Sequence, residues 1–418
     1  MIRCISPYFI FVLFIVVGCA STQSTAYNYE NNIGIMMHPQ FMIYHHTESQ
    51  SRLYFQIDTD EILYVRNNSN EPFQSNLKLE YKIYIEGEKE FIDTGTLLVS
   101  NSYLLKKEKF IDTLFNFDFE ANKKGHIELT LVDQNRSRDY FKKIKLDKLN
   151  LYNKQFFLLT DSVGYPKYNN RFTNNETITI NSNFSFNNNF YCLKNNTVFP
   201  FPLPPFSKSA QPIFPKKTSY AEKLSFDSQR SISYEFPTNG FVYFQGDTLS
   251  NNGFALFNFH EDYPFLTDPD NLIYPLRYLS TKEEYEQILK AKNSKEAVDQ
   301  FWLNKVTSRE RARTLIRTYY SRVQLANELF TSHIEGWKTD RGLINIIFGP
   351  PNFVRNNKNH EVWIYGDENN MNALKFTFEK MTNPFSENDY VLKRNYSYKT
   401  PWYRAVETWR NGKVYIVQ

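Results

Sequence analysis

Apolar and polar positions follow a succession of distinct textures along this chain. Residues 8–17 are an unbroken apolar run behind Arg3. Residues 20–32 are small and polar with no apolar period, the composition of a tether. Between 34 and 148 the apolar positions alternate with polar ones. Leu77, Leu79, Tyr81, Ile83 and Ile85 share one side of an extended chain, and Phe115, Phe117, Phe119 and then Ile127, Leu129, Leu131 repeat the pattern. A period of two predicts strands with one buried face, and Gly87, Gly95 and Gly125 mark turns between them. The same texture returns over 151–260, clearest at Ile178-Thr179-Ile180 and Phe241-Val242-Tyr243-Phe244. It is interrupted by Phe199-Pro200-Phe201-Pro202-Leu203-Pro204-Pro205-Phe206. Proline lacks the N–H a ladder needs, so this stretch is a long loop. It is either a binding loop presenting Phe199, Phe201 and Phe206 or a loop folded back on its own domain.

After Pro264 the period becomes helical. Ser280 with Glu283, or Thr281 with Glu284, offers a capping box; Asn293 with Glu296 and Thr307 with Glu310 mark two further helix starts. Leu315, Tyr319, Val323, Ala326 and Phe330 form one helical stripe, with Arg309, Arg311, Arg313, Arg317 and Arg322 largely off it, read as a solvated face. The apolar run Leu343-Ile344-Asn345-Ile346-Ile347-Phe348 between glycines reads as a buried strand, which puts Trp337 at a helix-to-strand corner. Residues 360–365 and 374–378 read as two more strands, and Asn411-Gly412 reads as a closing hairpin. The fold class expected is mostly β with a C-terminal α+β part. Two tandem Ig-like antiparallel β-sandwiches, 33–150 and 151–263, precede a helical segment and a small α+β domain over 264–418.

The first apolar run is too short to span a bilayer and ends at small residues, as a secretory signal does. Val16-Val17-Gly18-Cys19 resembles a lipobox. That resemblance implies a signal peptide over 1–18, diacylglyceryl attachment at Cys19, and a chain held on a membrane by lipid without a transmembrane helix. No acidic cluster follows Cys19. In the Bacteroidota-like lipoproteins this start resembles, that favours an outer-membrane anchor facing the periplasm, with surface exposure left open.

Composition narrows the partners. Lys plus Arg number 49 and Asp plus Glu 45, a net charge of +4 with both signs interspersed, so no basic block marks a nucleic-acid surface. The mean hydropathy of −0.54 suits a water-soluble body. Of three cysteines, Cys4 leaves with the leader and Cys19 takes lipid. Cys192 is then alone in an apolar setting, a buried inert thiol.

One block carries a family signature. Gly336-Trp337-Lys338-Thr339-Asp340-Arg341-Gly342, followed by Gly349-Pro350-Pro351 and Trp363-Ile364-Tyr365, resembles the GWxTD domain family over roughly 265–418. Phe301-Trp302, Tyr320 to Val323, Ala326-Asn327 and Phe330 match its other typical positions. The resemblance implies upstream sandwiches and an envelope location, and no reaction. The chain departs from the family at Phe301-Trp302-Leu303-Asn304-Lys305-Val306, where an acidic residue is usual, so no role for that residue carries over. The motif has a complete structural account. Trp337 fixes a corner, the Thr339 hydroxyl closes a turn, Asp340 caps backbone N–H groups, Arg341 pairs with Asp340 or another carboxylate, and Gly336 and Gly342 permit tight backbone. The competing account makes Asp340 and Arg341 a ligand or partner site.

No catalytic, phosphate-binding or dinucleotide motif is present, so no catalytic residue, cofactor or metal is assigned. His45-His46 beside Glu48 is the one histidine cluster, and neighbours on a strand point to opposite faces. The expectation is a non-enzymatic, membrane-anchored scaffold that binds an envelope protein. A glycan or exported-polymer binder is the alternative. An unrecognised hydrolase is the third reading, and it requires a cleft with shifted carboxylate or histidine pKa values.

Overall fold

The computed structural model describes residues 26–28 and 37–416, apart from 137, 185–189, 196, 209–221, 237–239, 249–250 and 358. The signal peptide and Cys19 lie outside the described residues. Among the described residues, no helix is long and apolar enough to cross a membrane. The first strand, β1 (Ala26–Asn28), falls inside the stretch expected to be a free tether. It corrects that expectation for three residues: β1 pairs antiparallel with a strand near the other end of the chain, Tyr27 opposite Val354.

The first sandwich follows the alternation, but of the three glycines expected in turns only Gly87 turns the chain; Gly95 and Gly125 lie inside strands. β2 (Gln40–His45), β3 (Gln50–Asp58) and β6 (Phe110–Asp118) form a sheet in the order β2-β3-β6. β4 (Phe73–Ile85), β5 (Phe91–Tyr103), β7 (Lys124–Asp133) and β8 (Arg138–Asp147) form a second, in the order β5-β4-β7-β8. Every ladder is antiparallel. Leu53, Phe55 and Ile57 of one sheet meet Leu77, Leu79, Ile83, Ile127, Leu129 and Leu131 of the other in one buried core. The pleat sends alternate side chains inward, so the period of two becomes a two-layer fold.

The second sandwich is built alike. β9 (Leu158–Thr160), β10 (Thr177–Asn181) and β13 (Ser231–Glu235) order as β13-β10-β9. β11 (Phe190–Asn195), β12 (Glu222–Leu224), β14 (Gly240–Gln245) and β15 (Gly253–Asn258) order as β12-β11-β14-β15. Its core is more aromatic, with Phe157, Phe190, Phe244 and Phe254 around Ile178, Ile180 and Leu256. Cys192 is buried there against the Tyr234 hydroxyl, 3.2 Å away, and burial pushes its thiol up to about 12. The two sandwiches join through Met42, Tyr44 and Tyr54 packed with Leu158 and Tyr168. His45 is buried at this junction, its Nδ1 2.9 Å from Ser51 Oγ and its ring edge-on to Phe156. His46 turns the other way, to Asn183. The adjacent histidines diverge as strand geometry requires.

The C-terminal part begins with α1 (Pro269–Ile273), α2 (Lys282–Leu289), α3 (Ser294–Leu303) and α4 (Arg309–Phe330). Thr281 and Glu284 form the capping box of α2, and Asn293 caps α3. Ser308, one residue after the expected Thr307, caps α4, whose buried face includes the expected stripe Leu315, Tyr319, Val323, Ala326 and Phe330. The next element corrects the sequence reading. Residues 343–348 belong to a helix, α5 (Asp340–Phe348), every residue of which is buried. A short run apolar on all sides has no period to distinguish strand from helix. The ends decide it: Thr339 caps the N-terminus, and Gly349, at φ 85°, stops the C-terminus. Trp337 therefore turns a helix-to-helix corner. The chain continues through β16 (Phe353–Asn356), β17 (His360–Tyr365), β18 (Leu374–Lys380) and β19 (Tyr390–Leu392) to α6 (Lys399–Arg410). These strands and β1 make a sheet in the order β1-β16-β17-β18-β19. Asn411-Gly412 ends α6, with Gly412 at φ 71°, and makes no hairpin. The left-handed backbone that suits a mirror turn equally suits a helix stop, and buried Trp402, Ala405 and Trp409 show the helical face that precedes it. The whole is mostly antiparallel β with a C-terminal α+β part.

Candidate functional site

The signature residues converge on the corner between α4 and α5. Asn327, buried on α4, accepts from the Trp337 N–H at 3.0 Å and donates to the Pro264 carbonyl at 3.0 Å. Gly336 lies directly on that helix: a Cβ there would stand 1.9 Å from the Ala326 carbonyl oxygen. At Gly342 a Cβ would stand 2.0 Å from the Gly336 carbonyl oxygen. Both glycines are required by backbone contact. The Thr339 hydroxyl accepts from the Gly342 N–H at 3.0 Å and donates to the Gly336 carbonyl at 2.7 Å, stapling the corner to α5. Trp337 is 1% exposed, and its carbonyl accepts from the Tyr278 hydroxyl at 2.7 Å.

Asp340 and Arg341 belong to two separate buried ion pairs. Asp340 accepts from the Leu392 N–H at 2.8 Å and from both terminal nitrogens of Arg394 at 2.5 and 3.0 Å. It thus ties α5 to β19 with a bidentate bridge. Arg341 reaches Glu361 at 3.2 Å and the Asn388 carbonyl at 3.0 Å, and its guanidinium lies between the rings of Tyr390 and Phe330. Glu361 also accepts from the Trp363 indole N–H at 3.2 Å. Tyr365 donates to the Gly349 carbonyl at 2.7 Å. Pro350 and Pro351 carry the chain from there into β16, with Pro351 buried. Apart from the Nε of Arg341, which is buried without a hydrogen-bond partner, each polar group named above meets a neighbour within the domain.

Sequence reasoning missed the partners. Glu361 lies in the strand expected over 360–365 and Arg394 in a segment with no pattern of its own, and nothing in the sequence marks either as the motif's partner. Arg322 was placed on a solvated face. Instead its guanidinium donates to the carbonyls of Ile346, Ile347 and Tyr415 at 3.2–3.3 Å. It satisfies the end of α5, where cations are favoured, and desolvation holds it down at about 10.

The Phe/Pro loop packs across onto this domain. Phe201 lies 5.4 Å from the Trp337 ring, Phe206 5.4 Å from Tyr403, and Phe199 edge-on to His333. Between the loop, the start of α2 and one side of α6 runs an open groove of about 550 Å³, lined by Phe201, Leu203, Phe206, Tyr403, Arg277 and Arg410. Arg410 there grips Glu284 in two hydrogen bonds of 2.6 and 3.0 Å, which holds that carboxyl down at about 2. Asp389, raised by burial near His333, does not line this groove, and neither does His45. Among the described residues, no group of three or more His, Cys, Asp or Glu side chains could hold a metal ion.

Residues 240–411 match the family model described as the GWxTD domain. The match begins at β14, inside the second sandwich, so the chain carries a GWxTD domain that includes the last hairpin of that sandwich together with α1 to α6. No curated protein matches the chain.

Proposed function

We propose that this chain is a membrane-anchored envelope lipoprotein that works by holding other proteins, as a scaffold subunit of an outer-membrane complex. Its lipid is carried on Cys19 and its body faces the periplasm. The observation that carries the reading is the enclosure of the motif. The chain's most distinctive polar residues, Asp340 and Arg341, are bound to Arg394 and Glu361 inside the domain, and both are nearly buried. Charges held in this way build a frame, and they leave loops, grooves and strand edges as the surfaces free to act. The junctions support the same reading. Phe241 and Tyr243 pack on Phe385, and Met42, Tyr44 and Tyr54 on Leu158 and Tyr168, so three cores are coupled in series. With Cys19 lipidated, the seven residue steps to Ala26 span at most about 25 Å. That short reach brings the C-terminal sheet close to the membrane.

The test is purification of tagged protein from its native membrane in mild detergent, with mass spectrometry of what co-elutes and a Cys19→Ala chain as the unanchored control. One envelope protein recovered in stoichiometric amount with the anchored chain supports the scaffold. Recovery of the chain alone, or of an equally membrane-bound Cys19→Ala chain, contradicts it. A second reading, binding of a glycan or exported polymer, is favoured by the groove itself, where Phe206 and Tyr403 offer aromatic faces beside Arg277. It expects saturable polysaccharide binding that Tyr403→Ala abolishes.

A further inference from the structure

We propose that the outer edge of β5 pairs with β5 of a second copy, joining two first sandwiches into one continuous antiparallel sheet. This inference concerns a different face of the molecule and does not rest on the scaffold reading. β5 is an edge strand, hydrogen-bonded to β4 alone, and at 13 residues it is the longest edge among the described residues. An unpaired edge presents a row of N–H and C=O groups that recruits another strand unless charge, proline, shortness or a cover prevents it. The other edges carry such protection. β8, at the opposite side of the same sheet, bears Lys142, Lys143 and Lys145. β6 bears Asp112 and Asp118. β2 is covered by the second sandwich, β15 is bridged at Phe257 by the backbone of Asn170 and Phe172, β13 has five residues and ends in Glu235, and β1, β9, β12 and β19 have three residues each. β5 has one charged residue, Asp93, and no lysine, arginine or proline.

The occupant follows from the pattern of the strand. A bulge opposite Ile83 and Tyr84 leaves Ile92 outside the ladder, so the regular edge runs from Asp93 to Tyr103. Its midpoint is Leu98, which is 67% exposed on the outward face. A two-fold axis through Leu98 sets that leucine against its own mate and covers both. On the same outward face Thr96 then meets Ser100 and Thr94 meets Ser102, hydroxyl against hydroxyl. On the inward face Leu97 meets Val99, both already packed at the margin of the core. Asp93 meets the Tyr103 phenol, a hydrogen-bond donor for its carboxylate, and the two copies of Asp93 stand at opposite ends of the seam. No like charges oppose each other in this register. The paired edge would be about 37 Å long at about 3.4 Å per residue, with about ten new backbone hydrogen bonds. Its burial, on the order of 1,000 Å² in total, lies at the threshold of a specific interface and fits a reversible dimer.

Sedimentation velocity of the full chain in mild detergent, over a concentration series reaching roughly 100 μM, tests this. The expected result is a monomer–dimer equilibrium that Leu98→Lys weakens roughly tenfold or more, because it sets like charges directly opposite each other. Leu98 is mostly exposed, so the variant keeps its fold. An independent readout uses a chain with Cys4→Ser, Cys19→Ser and Cys192→Ser. Adding Leu98→Cys to it should give a disulfide-linked dimer on mild oxidation, since directly opposed strand residues lie within bridging distance. Leu105→Cys, 94% exposed and beyond the strand, should give none. A monomer throughout the series, or a dimer that Leu98→Lys leaves unchanged, overturns the proposal.

Discussion

The first sandwich and the C-terminal domain hold themselves together by different means. The sandwich core is chiefly aliphatic: Leu53, Leu77, Leu79, Ile83, Ile127, Leu129 and Leu131 meet across two sheets. The C-terminal core sets Trp302, Trp337, Trp363, Trp402 and Trp409 around α4 and α5. At its margin it encloses two ion pairs, Asp340 with Arg394 and Arg341 with Glu361. Aliphatic layers are tolerant of exchange, whereas a buried ion pair demands both partners in place. The sandwich is therefore a repeatable support, and the C-terminal domain has a specified geometry. That explains why its residues form a recognisable signature.

The largest expected effect tests whether the corner is the keystone of the C-terminal domain. Trp337→Ala should cost about 3–5 kcal/mol in urea unfolding, and Leu79→Ala in the sandwich about the same. The two should differ in reach. Loss of Trp337 also frees Phe201, so the Phe/Pro loop should become sensitive to protease, while Leu79→Ala should leave it resistant. A smaller effect separates contact from conformation. Gly342→Ala drives a Cβ into a backbone carbonyl and should cost about 1–3 kcal/mol or more. Gly87→Ala, at φ 92° with open space around it, should cost only about 1 kcal/mol, measured by the same unfolding curves.

Legibility differed between the two regions for the same physical reasons. Alternation at Leu77 to Ile85 is written residue by residue into the sequence, so the sandwiches were readable from it. In α5 the burial of every residue erases the period that names a helix, and only Thr339 and Gly349 marked its ends. Asn411-Gly412 was ambiguous because one backbone conformation serves two purposes. The ion pairs were illegible because Arg394 and Glu361 reach the motif through the tertiary fold. The structural role of Thr339 was readable, because its partners lie three residues away in either direction.

The third prediction concerns the junction between the sandwiches. Burial first, then the charge of Lys148, lowers His45 to about 3, and Asp147 opposes the shift only partly. The folded-state pKa lies below the ordinary 6.5, so between those values the unfolded chain binds the extra proton. Stability should then fall as pH drops below about 6.5, by up to about 1.4 kcal/mol per pH unit, down to about pH 3. His45→Gln should flatten that slope in unfolding curves taken at pH 6 and pH 5, above the range where Glu284 begins to titrate. The smallest effect is at Cys192. Its raised pKa and burial mean that a maleimide should leave it unlabelled in the folded chain and label it fully in urea.

The central claim is that the motif carboxylate builds the frame. The direct measurement is a double-mutant cycle of unfolding free energy on Asp340→Asn and Arg394→Met in the full chain, with partner recovery scored alongside. Removing one member of a buried pair should cost about 3–5 kcal/mol, and the double variant should lose clearly less than the two single losses together. An Asp340→Asn chain as stable as the parent that has nonetheless lost its co-purifying partner would contradict the account and make Asp340 a binding residue.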